Sequence, residues 1–248
     1  MGLAIIFLAS IALGLLVINQ LRGSSPSPSP TSGGRSYNWV GYTVSSDLRT
    51  PQPNVWTVSA TWVVPTIKAT GLDSYSAAWI RVGGTFDGSL IQAGTEADSV
   101  FGSPIYSTWY EILPYDSLPV SSMTISPVDL VTVSISLTNA TSGTWSIKIS
   151  DATSGQSFNK TMTYSSSRLS AEWIVERPLV NGAMPPLASF TTTTFTSCSA
   201  TIGATTGGIS AFPYTIYNLY WRTNTELASC SPLGAAGSSF TVTFLSAE

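Results

Sequence analysis

The stretch Val131-Thr-Val-Ser-Ile-Ser-Leu137 is apolar at every second position, and this period of two restricts the fold more than any other feature of the chain. Side chains alternate between the two faces of a strand but recur every 3.6 residues on a helix, so the pattern buries one face of an extended segment. It recurs at 54–64, 76–82, 89–95, 106–113, 144–150, 171–176, 188–196, 214–222 and 240–245, each segment bounded by Gly, Pro, Asn or Ser. No long helical stripe competes with it. Many short strands without intervening helices predict an all-β, two-layer antiparallel sandwich. The 71 serines and threonines, 20 glycines and 15 prolines among 248 residues suit a turn-rich chain with a neutral polar surface.

The N-terminal region has a different character. Residues 2–19 are almost wholly apolar, and the first charged side chain is Arg22. About 17 apolar residues is the short end of what spans a bilayer, and the basic flank of a signal peptide is missing. Residues 1–22 are expected to form an N-terminal hydrophobic helix, a signal or transmembrane anchor segment, with an uncleaved anchor slightly ahead of a cleaved signal. Residues 23–34 (GSSPSPSPTSGG) read as a linker with nothing to pack, and 35–248 as one domain. Such a protein would be extracellular, secreted or held at the outer face of a membrane, and act as a monomer. In that oxidising setting the only two thiols, Cys198 and Cys230, are expected to pair, stabilising by roughly 3–4 kcal/mol through loop closure. Two free buried thiols are the alternative. Sequons at Asn139 and Asn159 are expected in turns.

Composition then limits the chemistry. The chain has no histidine, which excludes Ser-His-Asp and Cys-His nucleophile systems, and two cysteines cannot build a four-thiolate zinc site. A net charge of −3 with 10 cations spread thinly argues against a nucleic-acid partner. Neither a metal nor a cofactor is expected, since the acids are too few for an all-protein calcium cage. Acid–base work falls to carboxylates, Lys or Tyr. Among acids set in strands, Glu111 lies in Tyr106-Ser-Thr-Trp-Tyr-Glu-Ile-Leu-Pro114, and Glu172 and Glu176 in Ser170-Ala-Glu-Trp-Ile-Val-Glu-Arg177. Alternation puts Glu172, Ile174 and Glu176 on one face and Trp173 and Val175 on the other. With Trp173 and Val175 in the core, the glutamates point away from it, toward solvent or into a groove shared with Trp109, Tyr110 and Trp173.

Six short motifs occur in order: Asn38-Trp-Val-Gly41, Ala60-Thr-Trp-Val-Val-Pro65, Trp79-Ile-Arg-Val-Gly83, Leu90-Ile-Gln-Ala-Gly94, Trp109-Tyr-Glu111 and Ala171-Glu-Trp-Ile-Val-Glu176. Together they resemble the glutamic peptidases, or eqolisins. Thr153-Ser-Gly-Gln156 and Pro186-Leu-Ala-Ser-Phe190 extend the likeness, which runs from about Ser36 to Cys198. The resemblance implies a bent sandwich of the concanavalin-like or jelly-roll type and an acid-acting endopeptidase with a polypeptide substrate. Carried over by motif, the catalytic glutamine falls on Gln92 and the catalytic glutamate on Glu176, with Glu172 the neighbour most easily confused with it. The cleft tryptophan falls on Trp79, the aromatic-acid motif on Trp109 and Glu111, and the carboxylate four residues past the glutamine on Glu96. No long inhibitory prosegment is expected between Gly23 and Arg35.

The chain departs from the family pattern where an acid would follow Trp-Val-Gly-Ile, since Gly83 stands there, and where Ser107 replaces an acid two residues before Trp109. The loop at 177–186 lacks the family's cysteine pair, leaving Pro178, Pro185 and Pro186 to stiffen it. Two other readings use the same residues. A membrane-tethered glycan-binding or adhesive module would need exposed Trp and Tyr but no Gln-Glu pair. A two-carboxylate glycosidase would pair Glu111 with Glu176 across a sugar ring.

Overall fold

The computed structural model describes residues 31–222 and 224–248. The expected hydrophobic helix at 1–22 and most of the expected linker lie outside the described residues. Among the described residues no helix is long and apolar enough to cross a membrane. The first half of the domain contains β1 (Thr31–Ser36), β2 (Trp39–Val44), β3 (Val55–Val63), β4 (Ala77–Gly83), β5 (Leu90–Val100), β6 (Ser103–Ile112), β7 (Leu118–Pro119) and β8 (Leu130–Asn139). The second half contains β9 (Thr144–Asp151), β10 (Ser157–Thr163), β11 (Ala171–Glu176), β12 (Thr193–Ile202), β13 (Thr205–Gly207), β14 (Tyr214–Tyr220), β15 (Glu226–Cys230) and β16 (Phe240–Phe244).

One hydrogen-bonded order runs β10-β9-β8-β3-β12-β16-β15-β14-β2-β11-β4-β5-β6-β7, antiparallel throughout, with β1 added parallel to β14 and β13 added to β12. The ribbon folds on itself so that β3, β8 and β9 pack over β4, β5 and β11, giving the sandwich-like layers that the alternation predicts. The core between them holds Val58, Trp62, Ile80, Val133, Ile135, Ile147, Trp173 and Phe195, all buried. Trp62 and Trp173 cross between layers with their polar ends satisfied. Trp62 Nε1 donates to Thr95 Oγ1 at 3.0 Å and Trp173 Nε1 to the Ser59 carbonyl at 2.9 Å.

The structure corrects several expectations. The strand expected at 188–196 is β12, shifted to Thr193–Ile202 by a bulge: Ser197 has φ +50° and the pairing with β3 slips between Thr196 and Ser199. Inward positions are therefore Thr193 and Phe195 before the bulge and Cys198, Ala200 and Ile202 after it, a phase change that no fixed period follows. The edge strand β10 was not expected because it is largely exposed, with only Phe158 and Met162 leaning on the core. β2 was missed for the opposite reason, since it is buried along nearly its whole length and shows no alternation. Part of the expected linker, from Thr31, is paired in β1. Asn159 lies in β10 rather than in a turn.

Cys198 and Cys230 are free thiols, not a disulfide. They sit on β12 and β15, and β16 runs between those strands. Cys230 pairs with Val242, which pairs with Thr193, whereas Cys198 lies beyond the Thr193–Phe195 stretch that β16 pairs, so the two thiols are offset along the strands as well as across them. Burial raises the pKa of both thiols, so they remain protonated and inert.

Candidate active site

The register of four strands assembles one face. Across β11, β4, β5 and β6, Glu172 pairs with Arg81, Arg81 with Gln92, and Gln92 with Glu111. Two residues along, Ile174, Trp79, Gly94 and Trp109 form the next row, and two further, Glu176, Ala77, Glu96 and Ser107 form a third. Period-two alternation turns all of these side chains to the face opposite Trp173, Val175, Ile80 and Ala93, which lie in the main core. Ala77, Trp79, Trp109 and Ile174 make a second apolar cluster, with Trp39 of β2 packed against it. A hydrophobic bar thus separates the Gln92 row from the Glu176 row.

All seven site candidates gather here. Gln92, Glu111, Glu172 and Trp79 are no more than 2% exposed, and Glu96, Glu176 and Trp109 are 6% exposed. The alternative that Glu172 and Glu176 lie on a solvated outer face therefore fails. Trp173 is a core residue and Tyr110 stacks on Phe158, so neither belongs to the groove. None of the eight tryptophans is exposed, which leaves a glycan-binding reading without a tryptophan platform.

Glu176 bridges toward the apolar bar: Trp79 Nε1 donates to its Oε2 at 2.8 Å, and Asn38 Nδ2 approaches its Oε1 at 3.5 Å. Gln92 bonds elsewhere, its Nε2 donating to Glu111 Oε2 in a short hydrogen bond. Gln92 Oε1 and Trp109 Nε1 are buried without a protein partner, the condition expected of groups that a bound ligand or water completes. Glu172 is held in place by Arg81 Nε at 3.1 Å and by the Thr85 hydroxyl.

Burial raises every carboxyl of the face, because low dielectric disfavours the charged form. Glu96 rises to about 7, with the Ser107 hydroxyl drawing it down and the charge of Glu176 pushing it up. Glu111 rises to about 8 by burial, against the Gln92 hydrogen bond and with the charge of Glu176. Glu176 is also raised by burial, opposed by Trp79, Arg81 and Asn38. Glu172 is raised by burial despite Arg81. Asp98, buried beside Glu96, is raised well above the ordinary value. The carboxyls repel one another through a poorly screening medium, so the set retains protons toward neutrality.

Both departures from the family pattern have structural reasons. Ser107 Oγ donates to Glu96 Oε2 at 3.0 Å, replacing a second acid with a donor. Gly83 has φ +83°, and a Cβ there would lie 2.2 Å from the Ser89 carbonyl oxygen, so no acid fits. The loop at 177–186 is closed by more than its prolines, since the Arg177 guanidinium donates to the Pro185 and Met184 carbonyls and lies 3.9 Å over Trp221. Sequence reasoning gave no site role to Asn38, Arg81 or Asp98. Asn38 and Arg81 fall within quoted motifs and Asp98 lies two residues past Glu96, but only the register shows which groups they face.

The chain is similar to known peptidases. The profile of the Peptidase A4 family matches residues 37–244. Aspergillopepsin-2 of Aspergillus niger is 31% identical over 140 residues, 54% of this chain and 49% of that protein. Scytalidopepsin B of Scytalidium lignicola is 34% identical over 157 residues, 58% of each chain. The chain thus spans about half the length of these relatives. The crystal structure of scytalido-glutamic peptidase with a transition state analog inhibitor superposes with a TM-score of 0.70 at 26% identity, covering 84% of this chain and 98% of that one.

Proposed function

Because this chain belongs to the Peptidase A4 family, we propose that it is an acid-acting glutamic endopeptidase with Glu176 as general base and Gln92 as the donor that stabilises the tetrahedral intermediate. The observation that carries the reading is the gathering of Gln92, Glu176 and three further carboxyls on one buried face around Trp79 and Trp109.

In this mechanism ionised Glu176 takes a proton from water as the oxygen adds to the peptide carbonyl carbon. The Gln92 amide NH₂ donates to the resulting oxyanion, and the C–N bond breaks as Glu176 passes its proton to the leaving amine. The Trp79 indole fixes the Glu176 carboxylate, and Asn38 steadies its second oxygen. Glu111 restrains the Gln92 amide. Activity requires Glu176 ionised while Glu96 and Glu111 remain protonated, since further charge on the face would raise Glu176 and oppose the oxyanion. The alkaline limit therefore falls near the values of Glu96 and Glu111, about 7 and about 8, and Glu176, itself raised by burial, puts the acid limit above the ordinary carboxyl value, so the expected window is mildly acidic to neutral. The reading includes a polypeptide substrate, monomeric action and export, with residues 1–22 as anchor or signal and 35–248 as the peptidase domain.

Digestion of an unfolded protein by the full chain at mildly acidic and at neutral-to-alkaline pH, beside Glu176→Gln, tests the proposal. Acid-favoured cleavage that the folded variant lacks supports it. Absence of cleavage by the folded wild type across the range overturns it.

A further inference from the structure

Among the described side chains of this face, Arg81 is the one cation, and the mechanism above gives it no contact with substrate. It sits in the Gln92 row between Glu172 and Gln92. Its guanidinium carbon lies 4.9 Å from the Trp79 ring centroid and 5.9 Å from that of Trp39, so two aromatic faces steady it. Gly84 leaves it room: with φ +92°, a Cβ at that position would lie 3.1 Å from the guanidinium carbon and from Nε. A guanidinium carries five N–H donors, and Arg81 uses only Nε, toward Glu172. Among the described residues its two terminal nitrogens have no protein hydrogen-bond partner. Unlike Nη1 of Arg168 and of Arg177, they are not among the buried, unsatisfied atoms.

The residue is thus 6% exposed, oriented by an ion pair at one edge and open at the other. A planar fork held this way matches a carboxylate in two-point geometry. We propose that Arg81 is a specificity-determining residue that binds a carboxylate of the peptide substrate, from an Asp or Glu side chain or from the chain's C-terminus. The inference rests on the peptidase reading of the same face.

The groups facing Arg81 set a pH window. Glu172 and Glu176 of β11 and Glu111 of β6 interact with its charge, and Tyr217 of β14 lies close enough to feel both Arg81 and Glu172. Burial raises Glu172 above the ordinary carboxyl value, whereas a solvated substrate glutamate titrates near about 4.3. As pH falls, Glu172 therefore takes up a proton first and loosens its hold, which opens a window in which the substrate carboxylate is still ionised. Recognition is strongest there and disappears once the substrate carboxylate is itself protonated.

The test measures kcat and KM of the full-length protein on matched peptides with Glu or Gln at successive positions, and with free or amidated C-termini, at pH 5.5 and pH 3. The expected result is a preference of about tenfold or more in kcat/KM for the ionised member of one pair, carried by KM at pH 5.5 and absent at pH 3. The pair that responds, side chain or C-terminus, identifies the source of the carboxylate. Arg81→Gln should equalise the pair, and the double variant Arg81→Gln/Glu172→Gln keeps the test open should the single variant leave Glu172 unpaired and misfold. Cleavage of neutral peptides without such a preference overturns the Arg81 proposal and leaves the peptidase reading standing. If no peptide is cleaved, the peptidase reading falls, and titrating the same pairs into Glu176→Gln by calorimetry decides the Arg81 proposal. Equal binding of both members would then end it.

Discussion

The two faces of strand β11 are equally buried and chemically opposite. Ala171, Trp173 and Val175 pack into the main core, while Glu172, Ile174 and Glu176 look onto the carboxyl-bearing face, and none of the six is more than 6% exposed. On the core side, apolar area leaves water and Trp173 places its N–H on a carbonyl, so burial stabilises the fold. On the other side, ionisable groups are desolvated with incomplete pairing, and burial raises their pKa values instead. Depth is the same, and its effect depends on whether the buried atoms had water to lose.

The sharpest way to break this comparison is to alter the two faces one residue apart. Glu176→Gln should reduce kcat by at least about 10²–10⁴ with unchanged circular dichroism and no loss of melting temperature. Val175→Ala should destabilise by about 2 kcal/mol in urea titrations while the folded fraction keeps its kcat. If Val175→Ala abolishes activity without unfolding, the faces are not functionally separate. Gln92→Ala should lower kcat by about 10²–10³, with a smaller change in KM, measured on one neutral peptide.

Trp79→Phe keeps the apolar bar but removes the donor to Glu176. A fall in kcat of about ten- to hundredfold is expected, since hydrogen bonds to charged groups are worth about 1.5–3 kcal/mol. That bond holds the Glu176 pKa down, so its loss should move the acid limb of the kcat profile to higher pH. An unshifted limb would detach Trp79 from the base.

Stability should respond to pH through the polar face. Glu96 and Glu111 sit at about 7 and about 8 in the folded chain, above the ordinary 4.5. Between those values the native state holds protons that the unfolded state has released, so stability is fullest below about 4.5 and falls as pH rises toward 8. Urea unfolding at pH 4, 6 and 8 should show a loss on the order of a few kcal/mol, and Glu111→Gln should flatten it. The smallest effect expected is none: with Cys198 and Cys230 free, a reductant should leave the melting temperature unchanged, and thiol labelling of the unfolded chain should find both cysteines reactive.

Legibility followed the same division between faces. Where one side of a strand is polar and the other apolar, as in Val131–Leu137, the pattern located the strand, and β3, β4, β8, β9 and β11 lie within a residue or two of expectation. It failed at β2, buried on both sides, at β10, exposed on both, and at the Ser197 bulge, where the phase changes. Ordered motifs singled out Gln92 and Glu176 as candidates, but their surroundings could not be read the same way. That Glu111 bonds Gln92, that Asn38 reaches Glu176, and that Arg81 faces Glu172 all depend on the register of strands far apart in the chain.

The sequence by itself determined the class of fold and the chemistry open to it. Period-two burial permits only strands, and a chain without histidine leaves acid–base work to carboxylates, Lys or Tyr. Only the tertiary structure decided which carboxylates act on one another, because that depends on which strands lie side by side and how much water is excluded. Pairing and dielectric are properties of the assembled layers, and neither is encoded in any one segment.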